Sequence, residues 1–162
     1  MKQFPNECFF AWVEEELVRA GSVRFRVKGV SMHPLLRDGR DEVEVHPCDP
    51  ASVRSGDILL FRYRGRYILH RLLRCRNAVF DLRGDNAWQV EQCSAQDIVG
   101  RVAMVYRLQS ETLPARYVAI SPRETRWRCL ADLRRLWRRG RHLLFRILLE
   151  PLHLRIQSDN AL

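Results

Sequence analysis

Gly56-Asp57 leads into Ile58-Leu59-Leu60-Phe61, and Arg64-Gly65-Arg66 follows almost at once. Four apolar residues between turn formers are too few for a helix and read as a central strand. The turn then sends the chain straight back as a hairpin. The returning run, residues 67–74, carries His70, and Asn77-Ala78 makes the next turn. Residues 79–82 form a further strand ending at Gly84-Asp85-Asn86, and residues 98–108 a long one. Upstream, Phe25 and Val27 alternate with Arg24, Arg26 and Lys28, and Val43 and Val45 form the apolar side of residues 41–45. Residues 25–108 therefore read as an all-β unit of short strands and tight turns.

Two helical patterns flank this unit. In residues 6–20, Phe9, Phe10, Val13, Leu17 and Val18 fall close to one face, and Gly21 is a stop. In residues 125–149, Leu130, Leu133, Trp137, Leu144, Ile147 and Leu148 share one side opposite many arginines. The stretch 112–122 holds two prolines and reads as a linker. The expected organisation is a helix over 1–22, a β-domain over 23–110, a linker over 111–124 and a basic amphipathic segment over 125–162. One domain with appendages suits 162 residues, and 46% apolar residues suffice for a core.

Charge is unevenly spread. Residues 1–120 carry 18 basic and 15 acidic side chains, whereas residues 121–157 carry 10 and 3. The Arg-rich segment suits an anionic membrane surface, an arginine-exposing helix packed on the β-domain, or, less favoured, nucleic-acid phosphates. No apolar run is long enough to span a bilayer, and Glu7 and residues 14–16 interrupt any secretory leader. A cytoplasmic protein, with peripheral membrane contact as an option, is expected. Five scattered cysteines without a Cys-x-x-Cys pair point to reduced thiols, with a Cys75–Cys93 pair as the minor alternative. His46, His142 and His153 lack ligand-like partners, and no phosphate-binding glycine loop occurs, so neither a metal nor a cofactor is expected.

Chemistry concentrates in Gly29-Val30-Ser31-Met32-His33-Pro34-Leu35-Leu36-Arg37-Asp38-Gly39. Gly29 allows close backbone approach and unusual dihedrals, and Pro34 directs the exit. Such a loop can expose one hydroxyl beside its own N–H, as an acyl-transfer nucleophile requires. Taken singly, a loop serine, a strand histidine and an Asp-Asn turn are ordinary structural features.

Together they resemble a known family. Gly29-x-Ser31-Met32-x-Pro34 with Gly39 resembles the nucleophile box of the signal peptidase I and LexA-like serine peptidases. Gly56-Asp57-Ile58-x-x-Phe61 is similar to the strand box that follows it. Ile68-Leu69-His70-Arg71 and Arg83-Gly84-Asp85-Asn86 resemble the boxes of the branch whose base is histidine rather than lysine, the archaeal and endoplasmic-reticulum signal peptidases. Residues 97–102 resemble the closing strand. The resemblance spans residues 23–107, with the boxes in the family's order.

It implies a mainly β, LexA/signal-peptidase-like β-ribbon fold between an N-terminal helix and a C-terminal amphipathic helix. It also implies a serine endopeptidase in which Ser31 attacks and His70 acts as base. The acid orienting His70 is Asp85 or Glu91; the sequence does not separate them. Gly29, Met32 and Pro34 would shape the oxyanion and substrate loop, with the Ser31 N–H as donor, and Asp57 would hold loop structure. The expected stand-alone form, without an anchor or helix-turn-helix domain, suggests a leader or precursor segment as substrate. A non-catalytic peptide-binding or regulatory module on the same fold is the alternative, and nucleic-acid binding through the tail a second. Oligomeric state is not readable from these residues.

Overall fold

The computed structural model describes residues 6–110, 115–123 and 133. Its elements are helix α1 (Asn6–Ala20) and strands β1 (Val23–Arg26), β2 (Asp41–His46), β3 (Ile58–Tyr63), β4 (Arg66–Arg76), β5 (Val79–Arg83), β6 (Glu91–Ser94), β7 (Ile98–Ser110) and β8 (Arg116–Ile120). All described pairings are antiparallel, in the order β1-β2-β7-β3-β4-β5-β6, with β8 added to β7. The fold is mainly β with one N-terminal helix, as expected. The segment over 125–162, including the expected amphipathic helix, lies outside the described residues apart from Leu133.

Strand β3 organises the interior. Its side chains alternate between faces, so Ile58 and Leu60 enter one apolar cluster and Leu59 and Phe61 another. This is why the run is apolar at every position: a strand covered on both faces has no solvent side. The first cluster joins α1, β1, β2 and the serine loop through Phe10, Val13, Leu17, Phe25, Leu35 and Val43. The second is formed with Leu72, Phe80, Leu82 and Cys93.

Helix α1 docks through stacking of Phe10 on Tyr67, with ring centroids 4.4 Å apart, and the Tyr67 hydroxyl donates to Glu14 Oε1 at 2.6 Å. Val18, expected on the buried face, is 90% exposed. At 3.6 residues per turn it lies about 100° round from Leu17, beyond the stripe that meets the sheet.

Two strands were not expected. Strand β6 has only Cys93 as a conventional core residue, and its other inward position is Glu91. Strand β8 lies within 111–124, read as a linker because Pro114 and Pro122 flank it. Pro122 falls outside the hydrogen-bonded span, where it costs the ladder nothing.

The hairpin turns follow the dihedrals that fit strand twist. Arg64 and Gly65 have φ of 51° and 72°, and Asn77 and Ala78 have 49° and 60°. Ala78 adopts the left-handed region that an L-residue with a Cβ disfavours. Ala78→Gly is expected to raise unfolding stability by about 0.5–1 kcal/mol, read as a higher urea midpoint with unchanged slope. A lower midpoint would contradict the turn assignment.

Cys48, Cys75 and Cys93 are free thiols, so the alternative Cys75–Cys93 pair is not formed. Burial, with Asp97 nearby, pushes the Cys93 thiol up to about 12. No helix among the described residues is long and apolar enough to cross a membrane.

Candidate functional site

The loop carrying Ser31 leaves β1 through Gly29, whose φ of +95° suits glycine. The His33–Pro34 peptide is cis. Beyond Ser31 the loop is anchored by its apolar side chains, since Met32, Leu35 and Leu36 are buried in the first core cluster. Polar ties complete the anchoring. Leu36 N–H donates to Met32 O at 2.9 Å, and Arg107 donates to Leu35 O at 2.7 Å. The Arg37 N–H donates to Asp41, which is fully buried and also paired with Arg40. Burial pushes the Asp41 carboxyl up, but these donors and Arg107 outweigh it and hold it below the usual carboxylate range.

From the other side, the Asn86 N–H donates to Ser31 O at 2.8 Å, and Asn86 Nδ2 donates to Val30 O at 3.2 Å. The Gly84–Asn86 turn is thereby fastened to the peptides on both sides of the serine.

Strand register brings His70 to the same place. Leu72 pairs with Leu82, and Leu82 with Glu91, so these three side chains share one face. His70 lies two residues before Leu72, and Gly84 two after Leu82, so both extend that face. With no side chain at Gly84, the imidazole and the serine loop close over the strand. A Cβ there would lie 2.6 Å from Ser31 O and 2.9 Å from His70 Nε2. Nε2 therefore faces the Ser31 peptide, and Nδ1 lies 2.8 Å from Glu91 Oε2.

His70 and Glu91 are both buried, at 4% and 8% exposure, with the Phe61 ring 6.2 Å from the imidazole. Burial is the largest influence on His70 and holds it below the ordinary value of 6.5, although Glu91 and, more weakly, Asp85 favour the imidazolium. Burial thus favours the neutral ring, whose Nδ1 faces Glu91 and whose Nε2 faces the serine side.

Asp85 does not orient His70. Its two oxygens accept from Arg71 Nε and Nη2 at 2.8 and 2.7 Å, a fully buried bidentate pair. The physical reason is strand alternation: Arg71, next to His70, points to the opposite face, and the planar guanidinium fork takes both carboxylate oxygens. Of the two acids left open by the sequence, Glu91 is the one placed on the ring.

The loop residues differ from expectation as well. Met32 is 4% exposed and packs in the core, so it does not line an open groove. The Gly29 N–H donates to Asp38 Oδ1 at 3.2 Å, which removes it as an oxyanion donor. Pro34 is half-buried within the loop. Among the described residues nothing accepts from the Ser31 N–H, and the Ser31 hydroxyl and His70 Nε2 have no hydrogen bond to each other. Asp57 is buried and holds structure: it accepts from the Arg54 N–H and from Arg123.

Sequence reasoning did not single out Gly84, Arg71 or Asn86 for the roles they occupy. All three stand in the quoted His-Arg and Gly-Asp-Asn motifs, but pairing across strands is visible only in three dimensions. The arrangement supplies a hydroxyl, a neutral imidazole, a buried carboxylate on its far nitrogen and a backbone N–H at the hydroxyl-bearing residue, the parts required for acyl transfer.

A family model described as Peptidase S24-like matches residues 5–103. That span contains Ser31, His70, Gly84, Asp85 and Glu91. No curated protein matches the chain.

Proposed function

The chain belongs to the Peptidase S24-like family, and from that premise we propose that it is a serine endopeptidase with Ser31 as nucleophile, His70 as general base and Glu91 as the acid that orients it. The observation carrying this reading is the buried His70 ring, held at Nδ1 by Glu91 at 2.8 Å while Nε2 faces the Ser31 peptide.

A peptide carbonyl placed at Ser31 is attacked by Oγ, whose proton passes to His70 Nε2. The new C–O bond gives a tetrahedral oxyanion, to which the Ser31 N–H donates. As the C–N bond breaks, the imidazolium returns the proton to the leaving amine, and an acyl-serine remains. Water then attacks the ester by the same route, losing its proton to His70, and the carboxylic product and free Ser31 are released. Glu91 holds the Nδ1–H tautomer and stabilises the transient imidazolium. The hydrogen bond from Ser31 to Nε2 is of the kind that commonly tightens only when substrate is bound.

The substrate is proposed to be an extended peptide. Strand β4 exchanges partners at Arg71, pairing with β3 through residues 66–71 and with β5 through residues 71–76. Among the described residues, the β5-side edge of residues 66–70 thus carries no strand, and it ends at His70. Backbone bonds along such an edge would hold a leader or precursor segment with its carbonyl toward Ser31.

A serine-reactive acylating probe tests the reading, with wild type, Ser31→Ala and His70→Ala compared across pH. Labelling should map to Ser31, vanish in Ser31→Ala and fall in His70→Ala. Because the base must be neutral and burial lowers its pKa, the acid limb of the rate profile should lie at lower pH than that of an ordinary, exposed imidazole. Three folded proteins that take up no probe would instead favour a peptide-binding module without catalysis. The unformed Ser31–His70 hydrogen bond is the feature consistent with that second reading.

A further inference from the structure

Residues 120–123 lie beyond the family-matched span, yet they close directly on the site's support. Ile120 is buried in the first core cluster at 4% exposure. Two residues later, the Pro122 carbonyl accepts from Arg71 Nη1 at 3.3 Å. The next side chain, Arg123, clamps Asp57 with contacts of 2.6 and 3.0 Å.

Arg71 stands between this segment and the nucleophile. A guanidinium has five N–H donors and no acceptor. At 5% exposure, those donors must find protein partners. Nε and Nη2 take the two oxygens of Asp85, and Nη1 takes the carbonyls of Gly56 and Pro122. Asp85 sits between Gly84, which packs on Ser31 O and His70 Nε2, and Asn86, which donates to Ser31 O and Val30 O. A continuous path of direct bonds runs from Pro122 through Arg71 and Asp85 to the peptides around Ser31.

Arg123 sets the far end of that path. Its side chain is 53% exposed, while Asp57 is 2% exposed. Burial pushes the Asp57 carboxyl up, but Arg123, the Arg54 N–H and Arg101 outweigh it and leave it below its ordinary value. The half-exposed arginine thus holds the Pro122 carbonyl in reach of Arg71 by gripping a buried carboxylate on the neighbouring loop.

We propose that the Pro122–Arg123 turn is a latch that completes the coordination of Arg71 and thereby positions the nucleophile loop, making Arg71 and Arg123 positioning residues for Ser31. In its catalytic consequence this rests on the Ser31–His70 reading; in its structural consequence it does not. Releasing the latch costs buried Arg71 a carbonyl, and the Asp85–Asn86 turn loosens from Ser31 O. Peptide binding at the β4 edge, which does not use this path, is unaffected.

The test uses the full chain with Arg123→Ala and Arg123→Lys, hydrogen exchange resolved at the Asn86 amide, and the probe's saturation kinetics. In Arg123→Ala, Asn86 should exchange about tenfold faster, as expected for losing one hydrogen bond to a charged group. Amides of the β1–β2 ladder should keep their rates. The maximal acylation rate should fall by a similar factor at unchanged probe affinity, and Arg123→Lys, which keeps one ion pair, should recover part of both losses. Unchanged Asn86 exchange in Arg123→Ala overturns the latch, and so does a uniform acceleration of all amides, which would mean general destabilisation. If wild type takes up no probe, the peptidase reading falls, and the exchange at Asn86 still decides for or against the latch.

Discussion

Glu91→Gln is expected to slow acylation of Ser31 by about 10³- to 10⁴-fold, the loss seen when a serine peptidase's histidine is deprived of its carboxylate. The protein should remain folded, because a glutamine carbonyl still accepts the Nδ1–H of a neutral ring and the volume is conserved. What disappears is the charge that steadies the imidazolium during proton transfer. Glu91 raises the His70 pKa against the larger effect of burial. Its removal should therefore move the acid limb of the pH–rate profile to still lower pH while the plateau drops.

Asp85→Asn is the contrast. It leaves the buried guanidinium of Arg71 without a carboxylate, a loss of about 3–5 kcal/mol of stability, read by urea unfolding. The pH–rate limb should hardly move, since Asp85 acts on His70 only through space. A near-normal rate in Glu91→Gln, with a shifted limb in Asp85→Asn, would exchange the roles of the two acids.

Glu91 also explains the largest gap between the sequence and the fold. Patterns carried by local spacing were readable: α1 over 6–20, the two-sided strand β3 and the hairpins either side of His70 all appear where apolar spacing and turn residues put them. Strand β6 was not readable, because Glu91 occupies a core position and reads as a polar break. A buried carboxylate there makes no sense to a pattern of apolar and polar residues until His70 is placed opposite it.

Similar reasons account for the other differences. Asp85 follows the motif glycine directly and stood with Glu91 as a candidate partner for His70, but strand alternation turns Arg71 and Asp85 toward the other face. The family resemblance implies a groove position for Met32, yet the loop turns it into the core with Leu35 and Leu36. Prolines disguised β8, whose backbone pairs with β7 between them. The order of the motifs along the chain was legible; which side chains meet across the sheet was not.

Gly84→Ala should separate the site from the fold more sharply than any change of a charged group. Gly84 does not need glycine for its dihedrals, since its φ lies outside the left-handed region. Alanine therefore acts by contact alone. Its Cβ would sit 2.6 Å from the Ser31 carbonyl oxygen and 2.9 Å from His70 Nε2. The first is backbone, so the loop has to shift; the second is the proton-accepting atom itself.

Overpacking of this kind costs about 1–3 kcal/mol, and a displacement near 1 Å at the reacting groups costs about 10²-fold in rate. Gly100→Ala is a matched control whose added Cβ touches neither Ser31 nor His70. Its Cβ would meet His46 O and Val45 Cγ1, both at 2.7 Å, between β7 and β2. Both variants should unfold at lower urea concentration than wild type, but only Gly84→Ala should lose probe labelling while still folded. The Asn86 amide, which donates to Ser31 O, should also lose exchange protection in that variant alone. Wild-type labelling in folded Gly84→Ala would mean that Ser31 and His70 do not work across Gly84, and the proposed nucleophile–base pair would have to be abandoned.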